Sequence, residues 1–488
     1  MNDMSSQPES AGHAPVAVAA PPPPPHDGAT NSLDGLHRTV EVPGASAGFW
    51  RQYRAFAGPA LLVSVGYMDP GNWATDLAGG AQYKYNLMWV VALSSFMAIF
   101  LQVCSARLGV VTGKDLAQAC RDYYPRWTRI PNWLGTEVAI MACDLAEVLG
   151  SAVAIHLLFP SIPLFWAVLI TAADVLLLLS LQSKGMRVIE AFILVLVVTI
   201  GTCYFLELFV LPAVKPKFGE IGAAVVRPGF TNPTTHLFDM GMVYVAIGIV
   251  GATVMPHNLY LHSALVQTRA FQKDDASIKR AIQLNTVDSV VALSIAFLVN
   301  ASIMVLAAIT FYGKGNVTLG TGEVVDLAKE GHDWIQLAYL TLEPLLGTVA
   351  ASILFAVALL ASGQSSTVTG TLAGQVVMEG FMHWHVRPWI RRTVTRLLAI
   401  IPAVVVIGLR GENAVNDLLT LSQVVLGLQL PLAMIPLLHF TSSKRRMGAF
   451  ANGKVLLTIG WTSCLLITAL DVYLLGGMLF GALGIGGH

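Results

Sequence analysis

Two short stretches combine groups that can hold a cation. In "YMDPGNWATD", residues 67 to 76, Asp69, Pro70, Gly71 and Asn72 follow one another inside an apolar run. In "GATVMPHNLYLHSALVQTR", residues 251 to 269, Met255, Pro256, His257 and Asn258 repeat the grammar of ligand, proline, any residue, asparagine. Proline has no N–H, so the carbonyl four residues before it loses its donor. The released carbonyls are those of Gly66 and Ala252. In hydrocarbon such an acceptor is costly unless it faces protein, a cavity or an ion. Asp69 beside the first break adds a full negative charge, and each stretch reads as half of one site.

The combined donor set is the Asp69 carboxylate, the Asn72 amide oxygen, the Met255 thioether and the carbonyls of Gly66 and Ala252. Oxygen-only sites suit Mg²⁺ and Ca²⁺, whereas a soft sulfur favours first-row transition ions. The ion is therefore expected to be Mn²⁺, Fe²⁺ or a close relative. One carboxylate against a divalent ion leaves positive charge over, which suits reversible binding to a passing substrate better than a permanent metal. Methionine in an apolar helix is ordinarily core. The matched break in a second helix, and the rule that an intramembrane charge is functional by default, favour the site.

The elements that must position these groups are spanning helices. The 488 residues are 55% hydrophobic and 12% charged, with mean hydropathy +0.65, a composition that excludes an ordinary water-soluble globule. Apolar runs of spanning length lie near 55 to 80, 88 to 111, 133 to 158, 163 to 182, 187 to 212, 238 to 266, 286 to 312, 338 to 361, 394 to 409, 414 to 440 and 454 to 482. The reading is an all-α membrane protein with 11 transmembrane helices. The breaks fall in spans 1 and 6, so the chain divides into two five-helix repeats, about 55–212 and 238–440, followed by helix 11 at about 454–482. Because the second repeat starts after an odd number of spans, the two are inverted. With an inside N-terminus, nineteen Lys and Arg fall in cytoplasmic loops against seven in external ones, so the expected topology is N-terminus cytoplasmic and C-terminus external.

Residues 1–48, rich in Pro, Ala and Ser, read as a disordered cytoplasmic tail, and 49–488 as the transmembrane domain. The five cysteines have no C-x-x-C spacing and read as packing residues. No G-x-x-x-x-G-K-[ST] occurs, so nucleotide drive is not expected. The expected partners are divalent metal ions and the lipid bilayer, with neither nucleotide nor nucleic acid.

Both broken segments resemble the signature motifs of the Nramp family, the natural resistance-associated macrophage proteins, which are proton-coupled divalent-metal transporters with a LeuT-like fold. The resemblance extends over about residues 45 to 482 and includes "DLAEVLGSA", "ASGQSSTVTGTLAGQ" placed after span 8, and "LSQVVLGLQLP" in span 10. It implies metal binding by Asp69, Asn72, Met255 and backbone carbonyls. It adds Gln423 as a ligand in some states and Asn300 as a polar neighbour. The metal is then substrate, with H⁺ as co-substrate and no cofactor or catalytic residue, and the setting is a plasma membrane, a bacterial inner membrane by the compactness of its loops.

A proton route is suggested by Asp144 and Glu147, three residues apart on one helical face, where like-charge repulsion would keep one of them protonated. His257 lies one turn from the proposed site and Arg269 at the inner end of the same span. The resemblance implies a polar path from Asp69 past Glu147 and Asp144 toward the cytoplasm, lined by Arg269 and by Arg391 or Arg392. His262 reads as polar packing. Two competing classes are weighed. An intramembrane metal hydrolase would use Asp69, Glu147 and His257, but no H-E-x-x-H set occurs. A structural or sensing protein has no need of paired helix breaks.

Overall fold

The structure is a computed structural model that describes residues 33, 36–44, 47–173, 184–206, 208, 216–320, 322–327, 333–346, 349–384, 386, 388–411 and 414–482. In chain order the helices are α1 (Phe49–Phe56), α2 (Pro59–Gly66), α3 (Pro70–Tyr83), α4 (Met88–Thr112), α5 (Leu116–Tyr123), α6 (Arg129–Leu158), α7 (Leu164–Ile170), α8 (Met186–Phe205), α9 (Phe218–Val225), α10 (Met240–Val254) and α11 (Pro256–Leu265). They continue as α12 (Asp275–Thr310), α13 (Trp334–Leu346), α14 (Val349–Met382), α15 (Pro388–Arg410), α16 (Ala414–Ser442), α17 (Lys444–Met447) and α18 (Lys454–Ala482).

Among the described residues nine helical segments are long and apolar enough to cross a membrane. Two further expected spans are present in pieces. The first is the interrupted pair α2 and α3, and the fourth is Leu164–Ala173, whose continuation lies outside the described residues. The protein is an integral, multi-pass membrane protein.

Span 8 is placed differently from its expected limits of 338 to 361. Residues 334–346 form the separate helix α13, and the span is α14, which runs on through "ASGQSSTVTGTLAGQ" to Met382. Hydropathy ends the span early because this stretch is small and polar. Inside the bundle it faces α6 rather than lipid, and Ser and Thr there satisfy partners across the helix interface.

The bundle packs α14 on α6, α12 on α3 and α10 on α16, leaving the four broken half-helices α2, α3, α10 and α11 enclosed. Two small two-stranded sheets depart from an all-helical chain. The strands β1 (Val40–Glu41) and β2 (Arg269–Ala270) pair in parallel, while β3 (Asn316–Thr318) and β4 (Val324–Asp326) form an antiparallel hairpin. The β1 pairing, together with the Leu33 backbone N–H donated to Glu379, seats part of the expected disordered tail against the helical body. Residues 1–32 of that tail lie outside the described residues. All five cysteines are buried, as packing residues would be.

Candidate metal centre

Each broken segment stops where its proline requires. α2 ends at Gly66 and α3 begins at Pro70, with Tyr67, Met68 and Asp69 between them. Asp69 caps α3, its Oδ1 accepting from the Asn72 backbone N–H at 2.8 Å and from the Asn72 amide at 2.7 Å. In the second segment Met255 alone separates α10 from α11, with φ 39° and ψ 100°. That backbone is strained for a residue with a Cβ, and such strain persists only where the surroundings enforce it.

The released backbone groups can be accounted for one by one. Asn72 Nδ2 reaches the Gly66 carbonyl at 3.4 Å and the Ala252 carbonyl at 3.1 Å. The Tyr67 carbonyl accepts from Asn300 Nδ2 at 2.8 Å, and the Met68 carbonyl from Ser362 Oγ at 2.5 Å and Trp73 Nε1 at 3.1 Å. Tyr67 Oη donates to the Val254 carbonyl at 3.4 Å. Three acceptors therefore converge on one point, the Asn72 amide nitrogen: a carboxylate oxygen and a carbonyl from the first segment, and a carbonyl from the second. Turning the amide over presents its oxygen to the same point. Asn300 Nδ2 holds Asn72 Oδ1 at 3.2 Å, so Asn300 sits directly behind the amide.

The remaining sequence-selected ligands lie close by. Met255 Sδ is 3.1 Å from the position a Cβ on Gly66 would take, which places the thioether against the residue whose carbonyl is released. Asn258, the final residue of the second motif, donates its Nδ2 to that sulfur at 3.4 Å. Gln423 on α16 lies over Gly71, its Nε2 1.9 Å from where a Cβ would stand, so only glycine admits it. Asp69 Oδ2, Asn258 Oδ1 and Gln423 Oε1 are buried with no hydrogen-bond partner among the described residues. Each is a buried acceptor left open, which is costly unless a cation or another donor meets it. Asn258 was not selected as a site residue from the sequence, although its place in the repeated motif is the signal that marks it.

A second polar cluster runs along α6. Asp144 Oδ1 receives Arg392 Nη1 at 2.5 Å, and Glu147 Oε2 lies 3.5 Å from Arg392 and 3.8 Å from Arg396. Ser366 and Thr367 each donate a hydroxyl to Glu147 at 3.0 Å. The two carboxylates therefore do not confront each other bare. Two guanidiniums from α15 lie beside them, and the simple like-charge argument omits these. Arg391 turns to Glu137, two turns earlier on α6, at 3.0 Å. Room for the cluster comes from glycines on one stripe of α14: a Cβ on Gly370 would stand 2.9 Å from Glu147, and one on Gly374 1.7 Å from Arg391. Pro70 is linked to this face through Gly150 on α6, where a Cβ would lie 2.1 Å from the proline ring. His257 is buried, with Nδ1 unpartnered among the described residues. Glu137, Arg396, Ser366, Thr367 and the glycines were not singled out from the sequence. The spacing of Gly363, Gly370 and Gly374 on one helical face is the signal that points to them.

Arg269 is not part of this cluster. It pairs with Glu190 of α8 at 2.7 Å and donates to the Phe56 and Ala57 carbonyls at 2.8 Å each. Arg187 holds the other Glu190 oxygen at 2.9 Å, and Asp288 accepts from the N–H groups of Gly58 and Ala60 at 3.2 and 3.0 Å. The sequence places Arg269 at the inner end of span 6 but cannot say which neighbouring helix supplies its counter-charge. His262 is fully buried and bridges Gln102 at 2.9 Å and Asn285 at 3.3 Å, with Gln102 Nε2 donating to Tyr67 Oη at 2.6 Å. It is polar packing that extends to the first helix break.

Comparison with known proteins matches this architecture. The chain aligns with the structure of the Eremococcus coleocola manganese transporter in complex with an aromatic bis-isothiourea compound at TM-score 0.81 and 37% identity, over 94% of this chain and 93% of that one. A more distant match at 15% identity and TM-score 0.53, to Mhp1, a nucleobase-cation-symport-1 family transporter, shares the fold over 86% of this chain and 90% of that one. Among curated relatives, the divalent metal cation transporter MntH of a Nostoc species is 50% identical over 92% of this chain and 97% of its own length. That of Mesorhizobium japonicum is 48% identical over 92% and 94%. The fold and its two broken helices define a membrane transporter of the LeuT-like class. Residues 60–476 match the model of the natural resistance-associated macrophage protein-like family, and the chain belongs to that family.

Proposed function

We propose that this protein imports divalent first-row transition ions, Mn²⁺ foremost with Fe²⁺, Cd²⁺ and Co²⁺ accepted, by alternating access and accompanied by protons. The observation that carries the reading is the convergence of Asp69 Oδ1, the Gly66 carbonyl and the Ala252 carbonyl on Asn72, with the Met255 thioether against Gly66. These groups come from both broken helices, so a relative movement of the two opens or closes the donor set. A site that forms and dissolves with helix movement suits a carrier. A sulfur among oxygens gives the preference for transition ions.

Protons are assigned a partly separate course. It starts at Asp69 and proceeds by Glu147 and Asp144 to Arg392, with Glu137 and Arg391 below. Support comes from the succession of carboxylates on one face of α6, each beside an α15 guanidinium. His257 stands at the start of α11 as a polar neighbour of this course. The membrane is taken to be a bacterial inner membrane, with the N-terminus cytoplasmic and the C-terminus external. The supporting signal is the excess of Lys and Arg in alternate loops. The testing experiment is Mn²⁺ uptake into proteoliposomes with competing Fe²⁺, Cd²⁺, Co²⁺, Mg²⁺ and Ca²⁺, while internal pH is recorded. Accumulation of Mn²⁺ blocked by the transition ions, spared by Mg²⁺ and Ca²⁺ and accompanied by acidification is the expected result. Uptake without that order of preference removes the site reading.

A further inference from the structure

The helix α1 has no part in the metal centre, yet its two faces differ sharply. Gln52 and Phe56 are buried: Gln52 Nε2 donates to the Gly44 carbonyl at 2.7 Å, Arg280 Nε donates to Gln52 Oε1 at 2.8 Å, and Phe56 sits in an apolar cluster with Val266 and Ile278. These contacts fix the helix about its axis. They turn Trp50, Arg51 and Arg54 outward together, with Trp50 70% exposed and both arginines exposed. Neither guanidinium has an ion pair or hydrogen bond among the described residues. Trp50 and Arg54 are one turn apart and Arg51 lies beside them, so an indole and two guanidiniums share a single face.

The position of α1 along the chain limits what can lie against that face. Only Ala57 and Gly58 separate Phe56 from Pro59, where the first spanning segment begins. Three peptide steps reach about 10 Å at full extension. The end of α1 is further pinned, because its last carbonyls are held by Arg269 and Arg187. A helix tied this closely to the entry point of a span lies at the level of the lipid headgroups. Tryptophan is the side chain suited to that layer, and arginine beside it carries the charge that anionic headgroups attract.

We propose that α1 is an interfacial docking helix whose Trp50, Arg51 and Arg54 face binds the anionic phospholipid surface where α2 enters the membrane. The inference needs only that α2 enters the bilayer, and it stands whichever way the chain is oriented and whatever ion is carried. Each basic residue close to an anionic surface contributes about fivefold to association, and salt screens that contribution. The arginines thus supply headgroup selectivity and Trp50 supplies depth.

The test uses the full chain in vesicles of phosphatidylcholine alone or mixed with phosphatidylglycerol, with brominated acyl chains as quenchers. The signal of Trp50 is the difference between wild type and Trp50→Phe. Quenching of that signal should be at least about fivefold stronger in the phosphatidylglycerol vesicles. The preference should fall with added salt and be lost in the double variant Arg51→Gln, Arg54→Gln, while free phosphate should not compete. Both substitutions are at exposed positions, and Mn²⁺ uptake by the variants serves as the folding control. A Trp50 signal that is unquenched in both vesicles, or quenched equally with and without phosphatidylglycerol, overturns the proposal. Quenching that appears only after removal of residues 1–30 also overturns it, since the N-terminal tail would then be the occupant.

Discussion

The Asn72 amide, carried by the first broken segment, donates at 3.1 Å to the Ala252 carbonyl of the second. This contact joins two helix interruptions 180 residues apart in the chain. It also marks the point at which acceptor atoms of both come together.

Asp69→Ala should lower Mn²⁺ affinity by about two to four orders of magnitude and nearly abolish uptake. The donor set loses its only formal negative charge while the cation keeps its desolvation cost, a loss of the size seen when one partner of a buried ion pair is removed. Isothermal titration with Mn²⁺ on the purified variant checks this. Wild-type affinity in a folded protein would remove Asp69 from the site.

Met255→Ala should change selectivity more than strength. The oxygen donors remain, so Mn²⁺ uptake should drop only severalfold, whereas Cd²⁺ should lose most and Ca²⁺ or Mg²⁺ should compete better. The check is the ranked inhibition of Mn²⁺ uptake by each ion. An unchanged ranking returns Met255 to the packing class.

Gly71→Ala should mimic loss of Gln423 without altering any donor atom. A Cβ at position 71 would lie 1.9 Å from Gln423 Nε2 and 2.2 Å from its Cδ, so the side chain must swing away from the break. If Gln423 Oε1 joins the metal, Gly71→Ala and Gln423→Ala should each weaken Mn²⁺ binding by about tenfold, and the double variant by no more than either single change. Additive losses would separate the two residues.

Glu147→Gln should impair proton movement more than metal binding. Glutamine keeps the hydrogen-bonding outline toward Ser366 and Thr367 but cannot take up a proton. Paired Mn²⁺ and H⁺ fluxes across external pH, with affinity measured separately, are the readout. Parallel loss of both fluxes together with affinity would place Glu147 inside the metal site.

Gly150→Ala should be damaging for steric reasons alone. Its methyl would stand 2.1 Å from Cβ and 2.3 Å from Cγ of Pro70, a rigid ring at the helix break. α6 and α3 must then separate, at a cost of about 1–3 kcal/mol. Lower thermal stability accompanied by reduced uptake is the expected outcome, and an unaltered melting temperature would show that the contact is not tight.

The two helix breaks were legible in the sequence because proline acts locally. Pro70 and Pro256 release named carbonyls by backbone arithmetic that needs no fold, and the repeated motif pairs them. Span positions were legible for the same kind of reason, since apolar length is a local property. That reading failed where polar small residues face protein instead of lipid, as in α14, whose Ser366 and Thr367 serve Glu147. Only the tertiary structure decided which charges meet. Arg269 went to Glu190, Arg392 to Asp144 and Arg391 to Glu137. The adjacent Arg391 and Arg392 meet carboxylates two turns apart on α6, a helix distant in sequence, so spacing along the chain carries no record of the pairing. The same holds for Gln423, which lies 352 positions along the chain from the glycine that makes room for it.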